Sequence, residues 1–106
     1  MIRKAFLIYA QPGMAGEYQR RHNPIWPDLK KALKEYGVSN YSIFLHNDSD
    51  FLFGYFEVEN EALFNKMGES DVCKRWWKYM TEVLVSESEN SPKAKEDMLT
   101  EVFHLD

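Results

Sequence analysis

The sequence predicts an α+β domain in which strands and helices follow in the order β-α-β-β-α-β. Short apolar runs bounded by turn residues are separated by longer stretches of helical periodicity. The polar run HNDSD lies between two adjacent apolar runs, as expected of a hairpin turn. With 106 residues, the chain is predicted to form one domain over residues 1–106, without a second core.

The first half of the chain is predicted to hold three strands and a helical region. Residues 3–11 are short, apolar and followed by turn residues, which indicates the first strand. Residues 15–36 have helical periodicity, and Gly37 follows them as a C-cap. Residues 41–45 and 51–59 are predicted to be the second and third strands, joined by the hairpin turn.

The second half is predicted to add a second helical region and a last strand. Helical periodicity begins near Asn60, is interrupted at Gly68 and resumes over residues 71–85, with Ser70 or Asp71 as the N-cap.

Residues 86–97 are polar and lack periodicity, which indicates an exposed loop, and residues 100–106 are expected to form the last strand. This order is that of ferredoxin-like domains.

The predicted strands are apolar on both faces, as the runs AFLIYA and FLFGYF illustrate. Both helical regions of a ferredoxin-like domain cover the same face of the sheet, so the other face needs a different cover. Two copies that pair through these sheets supply it. We therefore expect a homodimer in which two α/β sandwiches form a dimeric α/β barrel.

Composition and charge restrict the partners. A net charge of −4 and a pI near 5.4 argue against a nucleic-acid partner, and the pairs Arg20–Arg21 and Lys30–Lys31 are interpreted as solvated helix faces. No membrane segment or signal peptide is predicted. Cys73 is the single cysteine, typical of a reducing compartment, so we expect a cytoplasmic location.

The run YQRRHNPIWPDL carries the most informative pattern. Tyr18, His22 and Trp26 follow at intervals of four, which places them on one helix stripe facing the sheet. Pro24 and Pro27 interrupt the helical hydrogen bonds there, so a kink is expected to open a cleft beside His22. Two simpler interpretations remain open: His22 is a packed core residue, or Pro27 merely starts a second helix.

The other chemistry-bearing residues give weaker signals. Trp76 and Trp77 diverge by about 100° on a helix, and they suit either core packing or the face of a sugar. Cys73 is interpreted as a small buried thiol. His46 and His104 are candidates that no pattern selects.

The sequence contains no phosphate loop, metal-spaced cluster or nucleophile elbow. These patterns predict a cofactor-free pocket of His, Tyr and Trp.

Four segments in the same order, MIRKAF, EYQRRHNPIWP, DVCKRWWKYM and EVFHL, resemble those of the L-rhamnose mutarotase family. The resemblance covers nearly the whole chain and departs from the family's pattern in GMAGE, in the hairpin turn and after Val85. It implies a cytoplasmic isomerase that interconverts the α and β anomers of L-rhamnose without a metal or organic cofactor.

The resemblance also implies roles for particular residues. His22, in RRHNP, corresponds to the family's proton donor. Tyr18, Tyr41, Trp76 and Trp77 correspond to residues that bind the sugar. A bound water or another polar group is expected to take the proton of the anomeric hydroxyl, and the sequence does not identify this base.

Three alternatives remain at this point: a cofactor-independent oxygenase of the dimeric α/β barrel type, a non-catalytic sugar-binding module, and a purely structural dimer.

Overall fold

The computed structural model describes residues 1–88, 91 and 93–106. In this part of the chain the strands and α-helices are, in order, β1 (Ile2–Tyr9), α1 (Ala15–Arg21), α2 (Pro27–Glu35), β2 (Val38–Leu45), β3 (Phe51–Val58), α3 (Glu61–Asn65), α4 (Asp71–Met80) and β4 (Glu96–Leu99). A 3-10 turn, Lys66–Glu69, joins α3 to α4. The strands form an antiparallel sheet with the order β2-β3-β1-β4. This is the ferredoxin-like arrangement, and it confirms the predicted α+β fold class.

Two predicted helix boundaries are confirmed by their caps. Gly37 follows α2 with a φ of 80°, a left-handed conformation that glycine adopts without strain, and its N–H donates to the carbonyl of Lys34 at 3.0 Å. Ser70 precedes α4, and its hydroxyl accepts from the N–H of Cys73 at 3.3 Å. The sequence signals for these two ends are therefore correct.

The helical prediction for residues 71–85 is wrong beyond Met80, where α4 ends. The following apolar residues extend the sheet instead. Gln11 donates its N–H to the carbonyl of Val83 at 2.8 Å, and Val85 donates to that of Tyr9 at 2.7 Å. Residues 81–85 do not continue the helix, although their periodicity is helical, because they form backbone hydrogen bonds with the end of β1.

The last strand is also displaced from its predicted position. Residues 100–106 contain no strand, whereas Glu96 and Asp97, predicted to lie in the loop 86–97, belong to β4. β4 pairs with β1 so that Leu99 is opposite Ala5 and Met98 is opposite Phe6. Positions 89, 90 and 92 of the predicted loop lie outside the described residues.

The helices cover one face of the sheet, where the core forms. Its residues include Phe6, Ile8, Leu52 and Phe56, each no more than 5% exposed. We call the opposite side the open face. There Phe44, Phe51 and Phe53 remain 66%, 44% and 40% exposed, although aromatic side chains are normally buried. The sheet is therefore apolar on both faces, as predicted.

Among the described residues, no helix has the length and the apolar character required to cross a lipid bilayer.

Candidate active site

A cleft of about 1300 Å³ lies between the helices and the covered face of the sheet. All of the site residues predicted from the sequence line it, together with the carboxylate of Glu96, which was not predicted: Tyr18, His22, Tyr41, Trp76, Trp77 and Glu96. These side chains come from α1, β2, α4 and β4, with His22 at the end of α1. The fold therefore brings together residues that lie as far as 78 positions apart in the sequence, from 18 to 96.

The helix break predicted from the two prolines is confirmed. α1 ends at Arg21 and α2 begins at Pro27, so the predicted helix 15–36 is two helices. Pro27 occupies the first turn of α2, where a missing N–H costs nothing, so this simpler interpretation also holds. The carbonyl of Arg20, which Pro24 cannot pair, accepts from the N–H of Asn23 at 3.2 Å.

His22 caps the C-terminal end of α1 and lies half-buried in the cleft wall. Its Nδ1 is 2.9 Å from the backbone carbonyl of Tyr18. A carbonyl oxygen only accepts hydrogen bonds, so Nδ1 carries a hydrogen and Nε2 is the acceptor of the neutral ring. Burial lowers the pKa of His22, and the hydrogen bond to Tyr18 opposes that effect.

The imidazole is held between two aromatic rings. The ring of Tyr18 lies 4.4 Å from it, and Trp76 meets it edge-on at 5.1 Å. Tyr18 is 6% exposed, and burial raises the pKa of its hydroxyl well above the ordinary value. Tyr18 therefore stays protonated at neutral pH and can both donate and accept hydrogen bonds.

Tyr41 reaches the cleft because β2 contains a bulge. Between Ser39 and Ser42 the strand advances three residues while its partner β3 advances two, from Glu57 to Tyr55. The extra residue turns Tyr41 toward the helices, where its ring stacks on Phe56 at 5.3 Å.

The Tyr41 side chain borders the open cleft and is 42% exposed, yet the protein around its hydroxyl raises the pKa of that group. It too is a protonated donor at neutral pH.

The two tryptophans of α4 have different surroundings. Trp76 is 8% exposed and packs against His22 and Trp26, whereas Trp77 is half-buried, with Nζ of Lys93 4.5 Å from its ring centroid. Trp26 stacks on Tyr79 at 5.3 Å. The predicted stripe is correct for Tyr18 and His22. It is wrong for Trp26, which lies beyond the end of α1 and packs against Trp76.

Arg21 corrects another prediction. The pair Arg20–Arg21 was expected to be solvated, but the side chain of Arg21 is only 10% exposed. Its guanidinium donates to the carbonyl of Tyr79 at 2.8 Å and lies 4.0 Å from that ring. It also forms ion pairs with Glu17 and Glu82. Arg21 thus ties α1, which carries His22, to the end of α4.

Glu96 is the cleft residue that sequence reasoning missed. Its strand lies where a loop was predicted, and no motif marks it. Glu96 pairs with Ile8 across the sheet, so the two side chains share the covered face. The side chain of Glu96 is exposed at the cleft, yet the protein around its carboxyl group raises the pKa by desolvation, and the charge of Lys93 opposes that effect.

The remaining candidates are placed elsewhere. His46 shares a hydrogen bond with the hydroxyl of Ser49 in the hairpin turn, and His104 contacts Asp106 near the end of the chain. Neither lines the cleft. Cys73 is 1% exposed, which confirms the buried thiol.

The fold and the cleft define a ferredoxin-like protein whose binding site combines aromatic rings with a histidine and a carboxylate. The model of the L-rhamnose mutarotase family matches residues 3–105. An L-rhamnose mutarotase of Pectobacterium atrosepticum is 51% identical over 106 residues, the full length of both chains. The crystal structure of L-rhamnose mutarotase from Formosa agariphila has a TM-score of 0.85 and 29% identity, and the match covers 100% of both chains. The chain therefore belongs to the L-rhamnose mutarotase family, which confirms the resemblance.

A second solved structure has the same fold but little sequence similarity to this chain. A putative antibiotic biosynthesis monooxygenase from Nitrosomonas europaea has a TM-score of 0.64, with 97% of this chain and 100% of that chain covered. The two sequences are 9% identical, so the likeness shows the fold alone. The fold by itself does not separate a mutarotase from an oxygenase, whereas the family match does.

Proposed function

We propose that the cleft around His22 is the site at which this chain binds a sugar and moves its protons. As a member of the L-rhamnose mutarotase family, the chain is an isomerase that interconverts the α and β anomers of L-rhamnose. The supporting observation is that four aromatic side chains, Tyr18, Tyr41, Trp76 and Trp77, converge with His22 in one cleft.

The residue types suit the binding of a sugar. The C–H faces of a pyranose pack against aromatic rings, and its hydroxyl groups require hydrogen-bond partners. Trp76 and Trp77 supply rings, while the protonated hydroxyls of Tyr18 and Tyr41 supply donors and acceptors. We propose these four residues as the sugar-binding residues.

The reaction consists of proton transfers and one reversible bond cleavage. The ring oxygen gains a proton, the anomeric hydroxyl loses one, and the bond between C1 and the ring oxygen breaks to give an aldehyde. Rotation about C1–C2 presents the other face, and the ring closes. His22 is the proposed proton donor to the ring oxygen. It acts as the protonated imidazolium and through Nε2, because Nδ1 is held by the carbonyl of Tyr18. This chemistry requires no metal or organic cofactor.

Magnetisation transfer between the anomeric protons of L-rhamnose, followed by NMR, tests the assignment. We expect the wild-type protein to accelerate anomer exchange and folded His22→Ala to lose about 10²- to 10⁴-fold of that acceleration. His46→Ala is a matched control, because His46 lies outside the cleft, and it should retain wild-type activity. Full activity in folded His22→Ala would exclude His22 as the acid.

The same samples separate the alternative functions. A sugar-binding module would bind rhamnose without accelerating exchange, and a structural dimer would do neither. An oxygenase would consume oxygen with an aromatic substrate, which an oxygen electrode detects.

We also infer that two copies pair through their open faces to form a dimeric α/β barrel. Phe53 lies opposite Leu7 of β1 and Phe44 of β2, so apolar side chains align across three strands of this face. Val102 and Phe103, beyond β4, are 93% and 78% exposed. Burying these groups in a homodimer removes them from water.

The remaining proposals concern the setting of the protein. We infer that residues 1–106 form a single domain and that the protein acts in the cytoplasm. The buried, unpaired Cys73 is compatible with a reducing compartment. L-rhamnose is the proposed partner molecule, and the acidic composition favours neither nucleic acid nor membrane as a partner.

A further inference from the structure

Mutarotation needs an acid at the ring oxygen and a base at the anomeric hydroxyl during the same cleavage. A free imidazole offers one nitrogen for each task. In this cleft Nδ1 of His22 is occupied, because it donates to the carbonyl of Tyr18 at 2.9 Å. Only Nε2 is available to the sugar, so His22 can serve one of the two oxygens at a time. A second group must serve the other oxygen.

Glu96 is a candidate for such a group. It lines the same cleft as His22, and its register opposite Ile8 directs it toward the covered face of the sheet. Tyr18 and Tyr41 line the same cleft. Burial is the main cause of the raised pKa of both hydroxyl groups, and the negative charge of Glu96 adds to it.

Tyr18 in turn packs against the imidazole at 4.4 Å between ring centroids. The imidazole, Tyr18 and the carboxylate of Glu96 therefore line one cleft, with Tyr18 packed against the imidazole.

Desolvation and charge have opposed effects on Glu96. Desolvation, the larger effect, raises the pKa of its carboxyl group, and the charge of Lys93 lowers it. Glu87 also lines the cleft. A carboxylate that is more basic than usual accepts a proton more readily and still returns it later in the cycle.

We propose that Glu96 is the general base that removes the proton of the anomeric hydroxyl while His22 protonates the ring oxygen. The inference rests on the proposed role of His22. In this step His22 is the imidazolium, with a hydrogen on each ring nitrogen. The proton of the anomeric hydroxyl goes to the carboxylate, and the electron pair of that O–H bond forms the carbonyl at C1 as the bond between C1 and the ring oxygen breaks. The ring oxygen takes the proton from Nε2, which leaves His22 neutral. Ring closure reverses each transfer, so both residues regain their starting states and no further reactant is needed.

Glu96→Gln keeps the size of the side chain and removes its basicity. We expect kcat for anomer exchange to fall about 10²- to 10⁴-fold while KM changes little, and the acidic limb of the pH–rate profile to disappear. Glu35→Gln is the matched control, because it makes the same change at an exposed position of α2 outside the cleft, and it should keep wild-type kcat and the acidic limb.

Chemical rescue separates a base from a positioning residue. Formate added to Glu96→Ala should restore part of the exchange rate, whereas formate should not accelerate His22→Ala. Circular dichroism verifies the folding of each variant, and Glu96→Ala serves if Glu96→Gln does not fold.

A kcat for Glu96→Gln within threefold of wild type, or a loss confined to KM, would overturn the proposal. Lack of rescue together with an intact acidic limb would also overturn it. Each of these results leaves the mutarotase activity of the wild type and the loss in His22→Ala unaffected, so the two proposals fail separately.

Discussion

Asn40 decides which way Tyr41 points. It has a φ of 49°, in the left-handed region that asparagine tolerates better than most residues, and its side chain donates to Glu57 at 3.2 Å. The bulge at Asn40 reverses the alternation of β2. Val38 therefore stays in the core while Tyr41, three residues later, also faces the helices.

Substitution of Asn40 tests this dependence. Asn40→Gly preserves access to positive φ and should keep both stability and activity close to wild type. Asn40→Val strains the same conformation, and we expect it to lower the free energy of unfolding by about 1–3 kcal/mol and to raise KM for the sugar. Urea denaturation and the anomer-exchange assay measure the two effects. Equal stability of the two variants would contradict the role of the bulge.

The buried imidazole of His22 predicts a pH dependence of stability. Burial lowers its pKa in the folded state below the ordinary value of about 6.5, so the unfolded chain binds more protons in that interval. The contribution of His22 to stability is therefore present above pH 6.5 and is lost as the pH falls through the lowered pKa. Urea denaturation between pH 5 and 8 should show a steeper loss on acidification for wild type than for His22→Gln. Parallel curves would contradict this prediction.

The individual site residues were predictable to different degrees. The spacing of Tyr18 and His22 by four residues is enough to place both on one side of α1, because the helical repeat fixes that relation locally. Tyr41 was assigned only through the family resemblance, because the bulge that turns it inward leaves no clear pattern. Glu96 was missed because it follows Val85, where the sequence departs from the family's pattern, and because its surroundings are polar.

Among the helices, α1 is joined to the end of α4 by the side chain of Arg21. The guanidinium joins Glu17 on α1 to the carbonyl of Tyr79 and the carboxylate of Glu82 at the end of α4. Arg20 contacts the same Glu17, but its own side chain is 68% exposed. The two neighbouring arginines therefore form a matched pair, one attached to α4 and one solvated.

Arg21→Met should destabilise the protein by about 2 kcal/mol, because it removes charge-assisted hydrogen bonds from a nearly buried site. Arg20→Met should cost no more than about 1 kcal/mol, as expected of an exposed ion pair. Thermal and urea denaturation measure both. We also expect Arg21→Met to reduce anomer exchange, since α1 positions Tyr18 and His22. Equal destabilisation by the two substitutions would show that Arg21 does not attach α1 to α4.

The elements with strong local signals were predicted well. Pro24 and Pro27 break a helix in any context because they lack N–H donors, and Ser70 caps α4 through its own side chain.

The last strand was misplaced because strand formation depends on a partner. β4 runs antiparallel to β1, with Leu99 opposite Ala5. If this register continued beyond β4, Val102 would lie opposite Ile2, the first residue of β1. The apolar residues beyond Val102 have no strand of this sheet beside them.

For the whole molecule, the open face is the surface on which the proposed homodimer depends. Phe53 stands near the centre of that face, between Leu7 and Phe44 on the neighbouring strands. Phe53→Glu would place a charge inside the proposed dimer interface, where desolvation is costly. We expect this variant to sediment as a monomer, whereas the wild type sediments as a dimer.

Lys31→Glu is the control for the dimer experiment, because it introduces the same carboxylate at an exposed position of α2. It should leave the wild-type mass unchanged in analytical ultracentrifugation. A monomeric wild type, or a dimer that persists in Phe53→Glu, would contradict pairing through the open face.

The sequence by itself determined the order of most elements, the helix break and the inward placement of Tyr18 and His22, because prolines, caps and the helical repeat act over a few residues. The tertiary structure decided the rest. It moved the last strand to Glu96–Leu99, because strands form only against a free edge, and it placed Glu96 in the cleft through its register with β1. It also placed Nδ1 of His22 against a backbone carbonyl, which occupies one of the two ring nitrogens. Such relations join residues distant in the chain, and local sequence patterns do not encode them.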